Sequence, residues 1–195
     1  MKKIAVFASG NGSNFQSLID FSREEKLQAS ISLLVCDRPG AFAIERALAA
    51  GTPSFVASPK DFADKQAYES AVLQELRNEK IDFIVLAGYM RLIGPTLLRE
   101  YDGRIVNIHP SLLPAFPGKD AIGQALAAGA SVTGVTVHFV DEGMDTGPII
   151  ASREVAVDNN DTRESLQKKI QETEHALYPA VLEKLLNGSK ERIES

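Results

Sequence analysis

Three side-chain types that together can stabilise an oxyanion and move a proton lie in the second half of the chain. Asn107 and His109 sit in Asn107-Ile108-His109-Pro110-Ser111-Leu112-Leu113-Pro114, just past the apolar run Arg104-Ile105-Val106. Asp145 sits in Asp141-Glu142-Gly143-Met144-Asp145-Thr146-Gly147-Pro148, just before another apolar segment. An amide donates to a developing oxyanion, an imidazole donates or carries a proton, and a carboxylate favours the charged imidazole and orients it. No metal and no nucleophilic cysteine is needed, so the trio suits acyl transfer between two small molecules. Pro110 keeps His109 out of the helical region. Asn107, two residues earlier, then shares its face of a regular strand. Taken singly, His109 reads equally as a hydrogen-bonded structural histidine, and Asn107 as a turn residue. Their roles complement one another only as a set.

A second feature lies near the start. Ser9-Gly10-Asn11-Gly12-Ser13-Asn14 joins the first apolar run to the first amphipathic stretch. In a doubly wound sheet that connection lies at the carboxyl edge of the strands, where ligands bind. Glycines let backbone approach an anion, and the helix start supplies free N–H groups. Phe15 stands where a dinucleotide fingerprint needs its third glycine, and no Gly-Lys-Ser or Gly-Lys-Thr follows. A phosphomonoester fits better than a dinucleotide or a nucleoside triphosphate. The same residues read equally as a tight turn in which Ser13 or Asn14 caps the helix.

Other chemistry-bearing residues have plainer readings. His138, in Val135-Thr136-Val137-His138-Phe139-Val140, is a satisfied core or supporting histidine. With His109, Asp141, Glu142 and Asp145 it could also form a divalent-metal site, but the spacing matches no metal signature. His175, beside Glu174, is a helix-surface or packing residue. Met90-Arg91-Leu92-Ile93 is either core edging or the wall of a flat, partly apolar pocket. Cys36, the single cysteine, lies in an apolar run and is a packing residue.

The elements that must position these residues alternate short apolar runs with amphipathic stretches, the pattern of an α/β domain with a mostly parallel sheet. Strands are expected near Ile4–Ala8, Ile31–Cys36, Ser54–Val56, Phe83–Ala87 and Arg104–Ile108. Helices are expected near Phe15–Lys26, Ala43–Ala50, Asp64–Glu79, Pro95–Tyr101 and Ile122–Ala128. The rhythm then changes. Ser131–Val140 and Pro148–Val157 are separated by a loop that suits an antiparallel pair. A long helix follows near Arg163–Leu186, with Thr162 as N-cap, a stop at Asn187-Gly188 and a loose tail from Lys190 to Ser195. The halves share one sheet.

A chain of 195 residues with 44% hydrophobic and 24% charged residues can bury a useful core. The formal charge of −5 argues against a broad nucleic-acid surface. No apolar run approaches the roughly 18 residues of a membrane span. Met1-Lys2-Lys3-Ile4-Ala5-Val6-Phe7 is too short for a signal peptide, and one cysteine fits a reducing compartment. The expectation is a cytoplasmic protein, monomer or homodimer, with no nucleic-acid or membrane partner.

From Lys3 to about Leu186 the sequence closely resembles the phosphoribosylglycinamide formyltransferases, folate-dependent enzymes of purine synthesis. The resemblance rests on Ser9 to Asn14, Leu86-Ala87-Gly88-Tyr89-Met90-Arg91, Asn107 to Pro114 and Asp141 to Pro148. It implies a Rossmann-like formyltransferase fold: doubly wound, mostly parallel, with an antiparallel strand in the C-terminal half and a long C-terminal helix. Residues 1–195 would form one domain, with 1–100 as phosphate-binding half, 101–189 as folate and catalytic half and 190–195 as tail. The Asn107–Pro114 motif is shared with methionyl-tRNA formyltransferases and formyltetrahydrofolate hydrolases. The tRNA enzymes carry an additional C-terminal domain, for which this chain is expected to have no room, and the hydrolases an additional N-terminal domain, whereas this chain is expected to begin directly with its first strand. The phosphate loop agrees with the ribonucleotide enzyme.

By the same resemblance, Gly12, Ser13 and Asn14 bind the ribonucleotide phosphate and Glu174 contacts the ribonucleotide. Met90, Arg91, Leu92 and Ile93 line the pteridine pocket, with Asn107 at its reactive edge. Asp141, Glu142 and Gly143, in the loop running to Asp145, complete that pocket through their backbone. Lys65 falls where many relatives place an arginine near the folate glutamate tail, which keeps charge but loses the bidentate fork. A cis peptide is expected before Pro114. The co-substrate is 10-formyltetrahydrofolate, the acceptor is 5-phosphoribosylglycinamide, and no metal takes part. Asn107, His109 and Asp145 are the catalytic residues. Alternatives are formyltetrahydrofolate hydrolysis, a non-catalytic phosphosugar- or folate-binding module and, last, a metal hydrolase.

Overall fold

The computed structural model describes residues 1–187. The elements run β1 (Lys2–Ala8), α1 (Ser13–Arg23), β2 (Ala29–Cys36), α2 (Phe42–Ala50), β3 (Ser54–Val56), α3 (Lys65–Asn78), β4 (Phe83–Leu86), α4 (Pro95–Glu100), β5 (Ile105–His109), α5 (Ala121–Ala127), β6 (Val132–Phe139), β7 (Ile149–Ala156) and α6 (Arg163–Asn187). A 3₁₀ turn at Pro59–Asp61, between β3 and α3, is additional to the expected elements. The expected helix stop at Gly188 and the tail from Lys190 to Ser195 lie outside the described residues. Among the described residues no helix is long and apolar enough to cross a membrane.

All seven strands form one sheet in the order β3-β2-β1-β4-β5-β6-β7. The first five pair parallel, as their alternation with helices requires. The expected antiparallel β6–β7 pair is present, and β6 also runs antiparallel to β5. Parallel strands covered on both faces read as continuous apolar runs. Accordingly β1 is buried from Ile4 to Ala8. Ile4, Val6 and Ala8 pack with α1 and α6 through Phe15, Leu18 and Tyr178. Ala5 and Phe7 face the opposite layer, with Tyr68, Val72 and Leu76 of α3 and Leu97 of α4. The buried Tyr178 hydroxyl donates to the Leu86 carbonyl at 2.8 Å and contacts that of Val106 at 3.3 Å, which pins α6 across β4 and β5.

Element ends shift where local chemistry was not read. α1 stops at Arg23, short of the expected Lys26, because Glu25 turns left-handed (φ 58°) and the Lys26 N–H reaches back to the Phe21 carbonyl. The start of α6 follows expectation: the Ser165 N–H donates to Thr162 Oγ1 at 3.2 Å.

The strand order fixes where a ligand can sit. From β1 the chain winds outward through β2 and β3, then returns to β4 on the other side of β1. Beyond the carboxyl ends of β1 and β4 the two crossovers diverge and leave a crevice. The loops after these strands are stitched together. Ser9 N–H donates to the Gly88 carbonyl at 3.1 Å, and Met90 N–H to Ser9 Oγ at 2.9 Å.

Gly134 of β6 lies where any side chain would collide. A Cβ there would stand 2.2 Å from the Arg153 carbonyl oxygen and 2.5 Å from Leu112 Cδ2. Gly134→Ala is expected to destabilise the fold by about 1–3 kcal/mol, read from the urea midpoint. An unchanged midpoint would contradict the close approach of the Leu112 loop to β6.

Candidate active site

A cavity of about 690 Å³ opens in that crevice. Its walls bring together the loop Ser9–Asn14, the segment Leu86–Ile93, the end of β5, the loop around Asp145 and one side of α6. Of the residues expected at the site, Gly12, Ser13, Asn14, Met90, Arg91, Leu92, Ile93, Asn107, His109, Asp141, Gly143, Asp145 and Glu174 all line it.

At one end of the cavity, β5 carries Asn107 and buried His109. Antiparallel pairing sets Asn107 opposite His138 and His109 opposite Thr136. His138 Nδ1 lies 2.8 Å from the Phe139 carbonyl, and its Nε2 lies 3.2 Å from Asn107 Nδ2. The supporting role expected of His138 is therefore directed at Asn107. Beyond His109 the chain makes the expected cis bond at Leu113–Pro114. Thr136 Oγ1 fastens this loop, donating to the Ser111 carbonyl at 2.7 Å and accepting from Leu113 N–H at 3.0 Å. The loop then returns the Phe116 carbonyl to within 2.9 Å of His109 Nε2.

Asp145 approaches from the opposite loop. It is one of the few non-glycine residues in the left-handed region (φ 57°), which aspartate tolerates better than most. Its Oδ2 accepts from Gly118 N–H at 2.8 Å and lies 3.4 Å from His109 Nδ1, while Oδ1 lies 3.6 Å from His138 Nε2. Burial alone would push its carboxyl up. The His138 contact, the Gly118 amide and the two imidazoles outweigh this and leave it below the ordinary value. Asp145 is thus ionised at neutral pH. Both nitrogens of His109 face oxygen atoms, the Phe116 carbonyl at Nε2 and Asp145 Oδ2 at Nδ1.

At the far end, Gly12 is the N-cap of α1, in the left-handed region with φ 75°. A Cβ on it would meet Ala43 Cβ at 2.8 Å. The tight turn is present, but neither Ser13 nor Asn14 caps the helix: among the described residues no side chain caps α1. Its first-turn N–H groups therefore have no side-chain acceptor. Asn14 Nδ2 donates instead to Glu174 Oε2 at 3.0 Å, and Asn14 Oδ1 is buried without a partner. Burial pushes the Glu174 carboxyl up to about 7, against the lowering effect of the Asn14 hydrogen bond.

The wall segment is pinned at several points. Besides the Met90–Ser9 bond, Arg91 Nε donates to buried Asp37 Oδ2 at 2.7 Å, and Gly94 N–H to buried Glu69 Oε1 at 2.6 Å. Two expected residues fall outside the cavity. Lys65 opens α3, and its Nζ lies 3.9 Å from Glu69 one helical turn on, away from the lining. Glu142 is exposed and does not line the cavity either. The Asp141 side chain is folded into its own loop, with Oδ1 accepting from Gly143 N–H and Thr146 Oγ1. Among the described residues no set of three histidine, cysteine or carboxylate side chains is arranged to hold a metal ion. Sequence reasoning missed Arg38, Lys119 and Gln171, which also line the cavity. Arg38 was findable: it lies two residues past the end of β2, at the same sheet edge as the loop Ser9–Asn14.

The geometry agrees with what the chain is similar to. Residues 2–182 match the family model described as "Formyl transferase". The chain belongs to the formyl transferase family. It is 56% identical over 186 residues to a Bacillus subtilis protein named phosphoribosylglycinamide formyltransferase, covering 95% of each chain. A crystal structure of glycinamide ribonucleotide transformylase 1 from Geobacillus kaustophilus superposes with TM-score 0.94 at 62% identity, covering 95% of this chain and 99% of that one. One of phosphoribosylglycinamide formyltransferase from Bacillus halodurans gives TM-score 0.94 at 54% identity, covering 97% of each. In this formyl transferase, the mixed sheet and long α6 carry the family's architecture through the whole described chain.

Glu174 supplies a test of the cavity's electrostatics. A carboxyl raised from 4.5 to about 7 stabilises the fold fully below the lower value and loses that contribution as pH rises through the upper one. Glu174→Gln removes the charge and keeps an acceptor for Asn14. The variant is expected to gain on the native protein between these pH values, on the order of 3 kcal/mol at full ionisation, measured by urea denaturation at pH 4 and pH 8. A difference independent of pH would contradict the buried environment.

Proposed function

We propose that the chain transfers the formyl group of 10-formyltetrahydrofolate to the amine of 5-phosphoribosylglycinamide. The observation that carries this reading is that Asn107, His109 and Asp145 meet in the same cavity as an uncapped, glycine-turned helix start. One end suits a tetrahedral oxyanion and the other a phosphate. The first hundred residues bring the phosphate loop, and the rest bring the reacting trio. The enzyme works in the cytoplasm on small molecules, as monomer or homodimer.

The phosphate seats on Gly12, Ser13 and Asn14, and Glu174 meets the ribonucleotide beside Asn14. The folate lies against Met90, Arg91, Leu92 and Ile93, with the backbone of the loop containing Asp141 and Gly143 opposite. The glycinamide nitrogen attacks the formyl carbon, a C–N bond forms, and charge collects on the formyl oxygen. Asn107 and His109 donate to that oxygen. His109 reaches it when Nε2 exchanges the Phe116 carbonyl for the formyl oxygen. Asp145 holds the ring from its Nδ1 side throughout. The attacking amine then loses a proton, the folate nitrogen gains one, and the C–N10 bond breaks. His109 or a water carries the proton. The family's co-substrate supplies the formyl group, and no step calls for a metal.

Hydrolysis of formyltetrahydrofolate would use the same trio but leave the phosphate loop without a role. The deciding experiment mixes protein, 10-formyltetrahydrofolate and phosphoribosylglycinamide, omits each in turn, and follows tetrahydrofolate. Formation that requires all three supports transfer; formate release without ribonucleotide contradicts it. Asn107→Ala is expected to lower kcat by about a hundred- to a thousandfold with the folate Kd little changed. Turnover near the native value would remove Asn107 from the oxyanion site.

A further inference from the structure

We propose that Arg46, a residue outside the cavity, is the positioning residue that makes the loop Gly10–Asn14 a phosphate receptor. The inference rests on the reading of that loop as the phosphate site. Arg46 projects from α2 onto the loop's outer side. Its Nε donates to the Asn11 carbonyl at 2.9 Å, Nη2 to Asn11 Oδ1 at 2.9 Å, and Nη1 to Gln16 Oε1 of α1 at 3.0 Å. The guanidinium also lies 4.8 Å from the centre of the Phe42 ring. On the same side, Ala43 N–H donates to the Gly10 carbonyl at 3.1 Å.

These contacts decide which way the loop's amides point. In a trans peptide the C=O and the next N–H are antiparallel. Holding the carbonyls of Gly10 and Asn11 against α2 therefore turns the N–H groups of Asn11 and Gly12 the other way, towards the cavity those residues line. Two successive amides facing one way form an anion-binding concavity, extended here by the uncapped start of α1. Gly12 lets α2 come this close, since a Cβ would strike Ala43. Arg46 then contributes twice. Its planar fork makes three simultaneous bonds that a lysine ammonium cannot reproduce in that geometry. Its charge also stands behind the amides, with the same sign as the field they present.

The test compares Arg46→Met, which keeps the stem, with Arg46→Lys, which keeps the charge and loses the fork. Steady-state kinetics are run in both substrates, and binding is measured for phosphoribosylglycinamide and for its dephosphorylated analogue. In Arg46→Met the KM for phosphoribosylglycinamide is expected to rise roughly ten- to a hundredfold, the scale of a lost bond to a charged group. The kcat at saturation and the KM for the folate should stay within about twofold, and the dephosphorylated analogue should bind as it does to the native protein. Arg46→Lys should fall between. If Arg46→Met does not fold, Asn11→Ala, which removes only the Oδ1 partner, is expected to shift the same KM in the same direction by a smaller factor. An unchanged ribonucleotide KM, or a parallel rise in both KM values, overturns the positioning role and leaves the phosphate reading standing. If the native protein binds the phosphorylated and dephosphorylated ligands equally, the phosphate reading itself fails and the inference falls with it.

Discussion

The Asp145 carboxylate is held from three sides, by Gly118 N–H, by His109 Nδ1 and by His138 Nε2. Burying a carboxylate is costly unless donors and cations compensate, and here they do so well enough to keep it ionised. One group thereby couples three stretches of chain. Gly118 belongs to the loop after β5, His109 ends β5, and His138 lies in β6. His138 in turn touches Asn107, so the same carboxylate stands behind both proposed oxyanion donors. The left-handed backbone at Asp145 delivers the carboxylate into this position, and Gly147 lets its loop close beneath it. A Cβ at Gly147 would stand 1.9 Å from the Phe139 carbonyl oxygen.

The sheet supplies the other half of the design. Because the crossovers part between β1 and β4, the proposed phosphate loop and the proposed folate wall rise side by side from adjacent strands, and Ser9 ties one to the other. The wall is fixed further by Asp37 and Glu69, two buried carboxylates reaching in from β2's end and from α3. Substrates bound to the two loops would be led toward one another over the end of β5. The chemistry needs that convergence, since an amine and a formyl carbon react at useful rates only when held in contact.

Residues whose placement depends on local chain were legible in the sequence. Asn107 and His109 announce themselves by a strand followed by proline, Gly12 by a strand-to-helix turn, and Thr162 by its place before a long amphipathic stretch. What depended on pairing across the sheet was not. The approach of His138 to Asn107 follows from the β5–β6 register, which joins residues 31 positions apart. The hold of Arg46 on Asn11 spans 35 positions and leaves no local pattern. Lys65 shows a contact that local spacing does reveal. A lysine four residues before a glutamate on one helix is a local signal for an ion pair, and Lys65 Nζ lies 3.9 Å from Glu69 Oε1.

The most direct test of the central claim is a double-mutant cycle between Asp145 and His109, read in kcat with both substrates saturating. If the carboxylate acts by orienting and charging the imidazole, Asp145→Asn and His109→Gln should each lower turnover by about a hundredfold or more. Once His109 is gone, removing Asp145 should then add little, because the two act as a unit. Losses that multiply in the double variant would show the two residues acting independently, and would contradict this account of the site.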